Sequence, residues 1–235
     1  MDMKISGSGS IPAGEYDTIK ISGSGTIQGN IKCSEMHVSG SANASGTVEC
    51  TGEIHVSGSA HFEKEIKTGS LYVSGAMHCN SDLTATQEIR LSGGVHCEGK
   101  IKCGELRVSG GFHAEESIEA ETVCISGGVA TDGLLNAEDI EIKLDGSGKN
   151  TIGSIGCSKL LVEQRRVKKL FGIRMGYLNV KDAIEGDEID IEYVTCPRVS
   201  GRTVKVGKGC KIELLQYGET YEIHEKATVG RIEKI

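Results

Sequence analysis

Six of the seven histidines fall into two registers. His61, His78, His96 and His113 each lie three residues after the glycine of a recurring apolar-Ser-Gly triplet, and His37 and His55 lie three before one. Imidazoles stacked about 5 Å apart have the chemistry to hold Zn2+ or Ni2+. On the sequence, no carboxylate or thiol is placed to close such a site, and an outward position copied with its repeat is the simpler account, so no metal site is expected. The nine cysteines are an odd number and mostly occupy apolar-alternation positions. They read as reduced thiols acting as small hydrophobes in a cytoplasm. Cys97 and Cys103 have the spacing of a ligand pair but belong to different inward columns. Gly7-Ser8-Gly9 and Gly23-Ser24-Gly25 resemble phosphate loops only superficially, because no capped helix and no Gly-Lys-Ser/Thr follows. Serine recurs in every triplet, so no Ser/His/Asp set stands out, and Glu115, Glu116, Glu119 and Glu121 read as a solvated face. No catalytic residue and no cofactor is expected.

The elements that would position these residues follow from the triplet itself. It occurs as Ile5-Ser6-Gly7, Ile21-Ser22-Gly23, Val38-Ser39-Gly40, Val56-Ser57-Gly58, Val73-Ser74-Gly75, Leu91-Ser92-Gly93, Val108-Ser109-Gly110 and Ile125-Ser126-Gly127. Successive glycines are 16 to 18 residues apart. Counted from each glycine, apolar or small residues recur at −4/−2, +2/+4 and +8/+10, as in Ile54/Val56, Ala60/Phe62 and Ile66/Thr68. Each pair has the period of two that marks a strand, and the pairs step by six. A unit of three short strands cannot bury its apolar positions alone and must stack on copies of itself. The expected fold is all-β: a parallel β-solenoid of triangular section with 17–18 residues per coil. Glycine at each triplet suits a corner where a side chain must be absent or φ positive.

Composition agrees. Glycine is 33 of 235 residues, proline 2, tryptophan 0 and aromatics 4%, too few large side chains for a conventional two-layer core. Apolar residues at 37% with a net charge of −7 exclude disorder, and no apolar run approaches a membrane span. The first residues, Met1-Asp2-Met3-Lys4-Ile5-Ser6, carry no signal-peptide h-region. Three regions are expected: a regular solenoid over 1–150, a basic interruption over 151–183, and less regular coils over 184–235. Residues 1–150 hold 11 Lys+Arg against 21 Asp+Glu, and 151–235 hold 15 against 12. Arg165, Arg166, Lys168 and Lys169 around Val167, Leu170 and Phe171 make a cationic, partly apolar stretch suited to contact with anionic lipid or a partner. Nucleic acid is not expected, since the acidic remainder repels phosphate.

A solenoid end leaves unpaired strand edges and a disc of apolar side chains. The inward pattern starts at once with Met3, Ile5 and Ile11, and runs at the other end through Val229, Ile232 and Ile235. These six residues are the expected assembly interface. Like ends joining would give a two-fold junction and a filament without polarity.

Two known classes share the pattern. Hexapeptide-repeat acyltransferases, trimeric left-handed β-helices, also step by six, but their coils hold 18 residues where these alternate between 17 and 18, and no loop protrudes from the first eight coils. Val38-Ser39-Gly40 with Val48-Glu49-Cys50, and Val108-Ser109-Gly110 with Ile118-Glu119-Ala120, resemble the bactofilins, the polymer-forming cytoskeletal proteins of bacteria. That resemblance covers 4–145 well and 184–235 loosely. It implies a right-handed β-helix that assembles end to end, alone or with a paralogue, into nonpolar filaments without a nucleotide. It implies a non-enzymatic cytoplasmic scaffold, often at the inner face of the membrane. The chain departs from the family in lacking Pro-rich tails and the short apolar N-terminal membrane tag, and in having more coils.

Overall fold

The computed structural model describes residues 1–146, 150–165 and 175–235. Among the described residues every regular element is a β-strand, and neighbouring coils pair in parallel. No helix long and apolar enough to cross a membrane occurs among them. The fold is the parallel β-solenoid that the triplet spacing calls for. The chain divides into two compact units, Met1–Glu116 and Ser117–Ile235.

In the first unit the long strands Ser8–Ile21 and Ser24–Val38 each run through most of a coil, and from Ser41 on a coil consists of three short strands separated by tight corners. One coil runs Glu53–Val56, Ser59–Phe62 and Ile66–Thr68, and the next Ser70–Val73, Ala76–Cys79 and Leu83–Ala85. Their registers set Ile54 against Leu71, Ala60 against Met77 and Ile66 against Leu83. Like residues therefore form continuous inward columns. Ile19, Met36, Ile54, Leu71, Ile89 and Leu106 make one such column, and each is 0% exposed. Each buried aliphatic side chain contributes about 1.5–3 kcal/mol, so the columns hold the coils together where a single coil could not hold itself. The second face fits large against small: Phe62 stands in register between Ala44 and Cys79. Polar residues that enter the interior are satisfied there. Thr68, 3% exposed, donates from its hydroxyl to the Ser70 and Gly52 carbonyls at 2.9 and 3.1 Å.

The triplet glycines answer to space. A Cβ built on Gly58 would stand 1.9 Å from the Gly40 carbonyl oxygen, and one on Gly75 would stand 1.9 Å from that of Gly58. Neither has a positive φ. The corner of each coil lies directly against the corner before it, and the amides of Ser57 and Gly58 donate to the Val38 carbonyl of the preceding coil at 2.9 and 3.1 Å.

The second unit keeps the columns while the coil length changes. One column runs Leu135, Ile155, Ile184, Val199, Leu215 and Ile232, and another Ile140, Leu160, Ile189, Val204 and Tyr221. Leu160-Leu161-Val162, which breaks the triplet spacing, lies inside the strand Ser154–Gln164 in register with Leu134–Leu144. Asn150, 5% exposed, accepts a hydrogen bond from the Val129 amide at 3.0 Å.

Candidate functional site

Three groups of residues on this scaffold can do something beyond holding it together: the outermost coils, the imidazole columns and the stacked thiols.

The last described coil ends the columns without covering them. Tyr221 and Ile223 stand in register with Val204 and Val206, Val229 with Ile212, and Ile232 with Leu215. The inner members of these pairs are 0–3% exposed, whereas Tyr221, Ile223 and Ile232 are 41%, 36% and 43% exposed. Ile235 is 67% exposed. The inward alternation thus yields an apolar face at this coil, built from Val229, Ile232 and Ile235 together with Tyr221 and Ile223, which sequence reasoning did not assign to the interface. Their place in the columns was the signal that could have found them.

The first coil is closed differently. Tyr16 occupies the column continued by Cys33, and its hydroxyl donates to the Pro12 carbonyl at 2.8 Å. The ring is 7% exposed, Ile5 is 7% and Ile11 is 0%. Met3 is half-buried. The N-terminal ammonium pairs with Asp17 at 2.6 Å, and the Asp17 amide donates to the Met1 carbonyl at 3.0 Å. Ile11 therefore offers no free apolar area, and a tyrosine fills the section where other coils place cysteine, threonine or alanine.

Of the basic stretch, Arg165 is exposed and its amide donates to the Leu144 carbonyl at 2.8 Å. Arg166, Lys168, Lys169 and Phe171 lie outside the described residues.

The four histidines of the second face form an outward ladder. Their registers are direct, His61 on His78, His78 on His96 and His96 on His113. Ring centroids are separated by 5.2, 4.7 and 4.6 Å. Two carboxylates stand beside this ladder. Glu98 reaches back one coil to stand 3.0 Å from His78 Nε2, and Glu115 does the same at 3.1 Å from His96 Nε2. The signal was available: each glutamate follows a histidine by two residues, and two residues along a strand return to the same face. The second stack, His37, His55 and Tyr72, has centroids 5.1 and 4.7 Å apart. His55 Nε2 lies 2.8 Å from Glu53, and the Tyr72 hydroxyl donates to Glu88 at 2.6 Å. That hydroxyl, with Arg90 beside it, holds Glu88 below the usual carboxylate range, and the same bond raises the Tyr72 phenol.

All nine cysteines are free thiols. In the stacked pairs one thiol bonds its neighbour, so Cys50 and Cys79 are lowered by the adjacent S–H while Cys33 and Cys97 are pushed far up by the same bond and by burial. Burial, with Glu105 nearby, pushes Cys103 up to about 12. These thiols act as core side chains.

A family model for bactofilins, described as polymer-forming cytoskeletal, matches residues 1–81 and 41–116. The uncharacterized protein YhbE of Bacillus subtilis (strain 168) is 47% identical over 232 residues, covering 98% of this chain and 97% of its own length. No solved structure matches.

Proposed function

The chain belongs to the bactofilin family of polymer-forming cytoskeletal proteins, and we propose that it is a cytoplasmic, non-enzymatic scaffold that assembles with copies of itself through its outermost coils into filaments, without a nucleotide. The observation that carries this reading is the apolar face of the last coil. Exposed Tyr221, Ile223 and Ile232 continue columns whose inner members are 0–3% exposed. A second copy presenting the same face would bury these side chains and pair the open strand edge, as adjacent coils do within the chain. Met3 and Ile5 of the first coil, with Ile11 behind them, form the second face that a filament needs. The basic residues Arg165, Arg166, Lys168 and Lys169, with Phe171, supply a contact for anionic lipid.

Electron microscopy and sedimentation of the purified chain over a range of concentrations, in nucleotide-free buffer, test the reading. Unbranched filaments are expected. Ile232→Lys, at an exposed position, is expected to leave a folded species no larger than a dimer. A parent that stays monomeric at every concentration overturns assembly, and a compact trimer favours the acyltransferase class. Run with anionic vesicles, the same sedimentation should show co-pelleting that a fourfold Glu variant at 165, 166, 168 and 169 loses. Unchanged co-pelleting removes the lipid contact.

A further inference from the structure

We propose that the outward imidazole ladder is a binding site for a zinc-class divalent cation, with His96, His113 and Glu115 as its ligands and Glu98 beside them.

The donor set lies on two neighbouring parallel strands, Gly94–Cys97 and Gly111–Ala114, and on the residue that follows each. His96 and His113 are paired in register, with rings 4.6 Å apart and tilted 36° to one another. Glu98 and Glu115 each follow the histidine of their own strand by two residues. The Glu115 carboxylate is 3.1 Å from His96 Nε2, so it already bridges the two coils. Two neutral imidazoles and a carboxylate match the preference of Zn2+ for mixed nitrogen and oxygen ligands, with water in the fourth position.

Among the described residues no three such donors already converge in coordinating geometry. Ligand bonds of about 2.0–2.2 Å would bring the donor atoms closer together than the stacked rings hold them. The side chains of His96 and Glu115 are 35% and 52% exposed. On the other flank stand Gly94 and Gly111, where even an added Cβ would meet nothing within 4 Å. Open space thus lies on one flank of the strand pair, and the Glu115 carboxylate meets His96 on the other. On binding, His96 Nε2 exchanges its present contact with Glu115 for the metal, and any proton held there goes to solvent.

The core does not require imidazole here. The same outward column carries Thr26 and Asn43 in earlier coils, and the fold accepts both. The inference is independent of self-assembly, because every ligand comes from one chain.

Calorimetric titration of the full chain with ZnCl2 tests it, run in parallel on the parent, on His96→Asn/His113→Asn and on Glu115→Gln. All three keep the same nine cysteines, so any thiol contribution is common to them. The parent is expected to bind one Zn2+ at this site, and its thermal midpoint should rise with Zn2+ as a ligand specific for the folded state requires. The double variant should lose at least about tenfold in affinity together with the thermal shift, and Glu115→Gln should be weakened in the same direction. Should the double variant fail to fold, Glu115→Gln and His113→Asn alone decide. Equal affinity and stoichiometry in parent and variants overturns the proposal, as does binding that thiol alkylation abolishes and histidine replacement leaves intact.

Discussion

At the residue scale, two glycines that look alike in the sequence are held by different constraints. Gly93 and Gly94 are neighbours, yet a Cβ on Gly93 would stand 1.8 Å from the Gly75 carbonyl oxygen while one on Gly94 meets nothing within 4 Å. Gly58 shares the constraint of Gly93, with the Gly40 carbonyl 1.9 Å away. Backbone cannot swing aside as a side chain does, so Gly58→Ala must prise two coils apart. It should destabilise by about 3 kcal/mol or more. Gly94→Ala should change stability by no more than about 0.5 kcal/mol, with the loss of freedom in the unfolded chain acting in its favour. Denaturant midpoints of the two variants against the parent check this, and equal midpoints would remove the corner-contact explanation. The recurrence of the triplet pointed to these corners. It left open whether space or a positive φ was the reason, since the spacing of glycines is the same in either case.

At the scale of the strand and coil, the sequence was legible because the solenoid repeats one geometric problem. A period of two within a strand and a step of six between strands set like residues over like when coils stack, so Ile54, Leu71 and Ile89 fall into a single column. The logic weakened where coil length changed. Spacing alone does not define the columns there: Ile155 and Ile184 are paired although 29 residues apart, and Leu135 and Ile155 although 20 apart. A column is fixed by strand register, not by the number of residues between its members. The consequence is sharp within any one strand. Ile101 is 1% exposed, whereas Lys102, the next residue, is exposed. Ile101→Asp puts a carboxylate into a dry column with no cation to meet it and should abolish folding, a cost of several kcal/mol. Lys102→Asp should cost no more than about 1 kcal/mol. Circular dichroism and solubility of the two proteins test the assignment, and a folded Ile101→Asp would mean that the column does not face inward.

At the scale of the whole molecule, the first and last coils present different surfaces, and self-assembly should inherit the difference. The sequence suggested an apolar disc at each end, because inward alternation begins with Met3 and Ile5 and continues to Ile235. It could not show that Tyr16 closes the first section, since in that column the other coils carry Cys33, Cys50 and Thr68, and only packing reveals what a ring does there. The Tyr16 ring is 7% exposed with its hydroxyl bound to Pro12, whereas Ile232 and Tyr221 of the last coil are 43% and 41% exposed. Joining two last coils buries apolar area that is already in water. Joining two first coils buries little more than is buried now, unless Tyr16 moves and its hydrogen bond is exchanged. If assembly proceeds as proposed, the last coils should pair at the lower concentration, giving a two-fold dimer, and the first coils should join dimers into filaments only at a higher one. Sedimentation velocity over a dilution series should therefore resolve two steps. Tyr16→Ala, which uncovers the first coil, should bring the second step to lower concentration and leave the first in place, while Ile232→Lys should remove the first step. A single transition in the parent, or a Tyr16→Ala protein whose second step is unmoved, would mean that closure of the first coil plays no part in assembly.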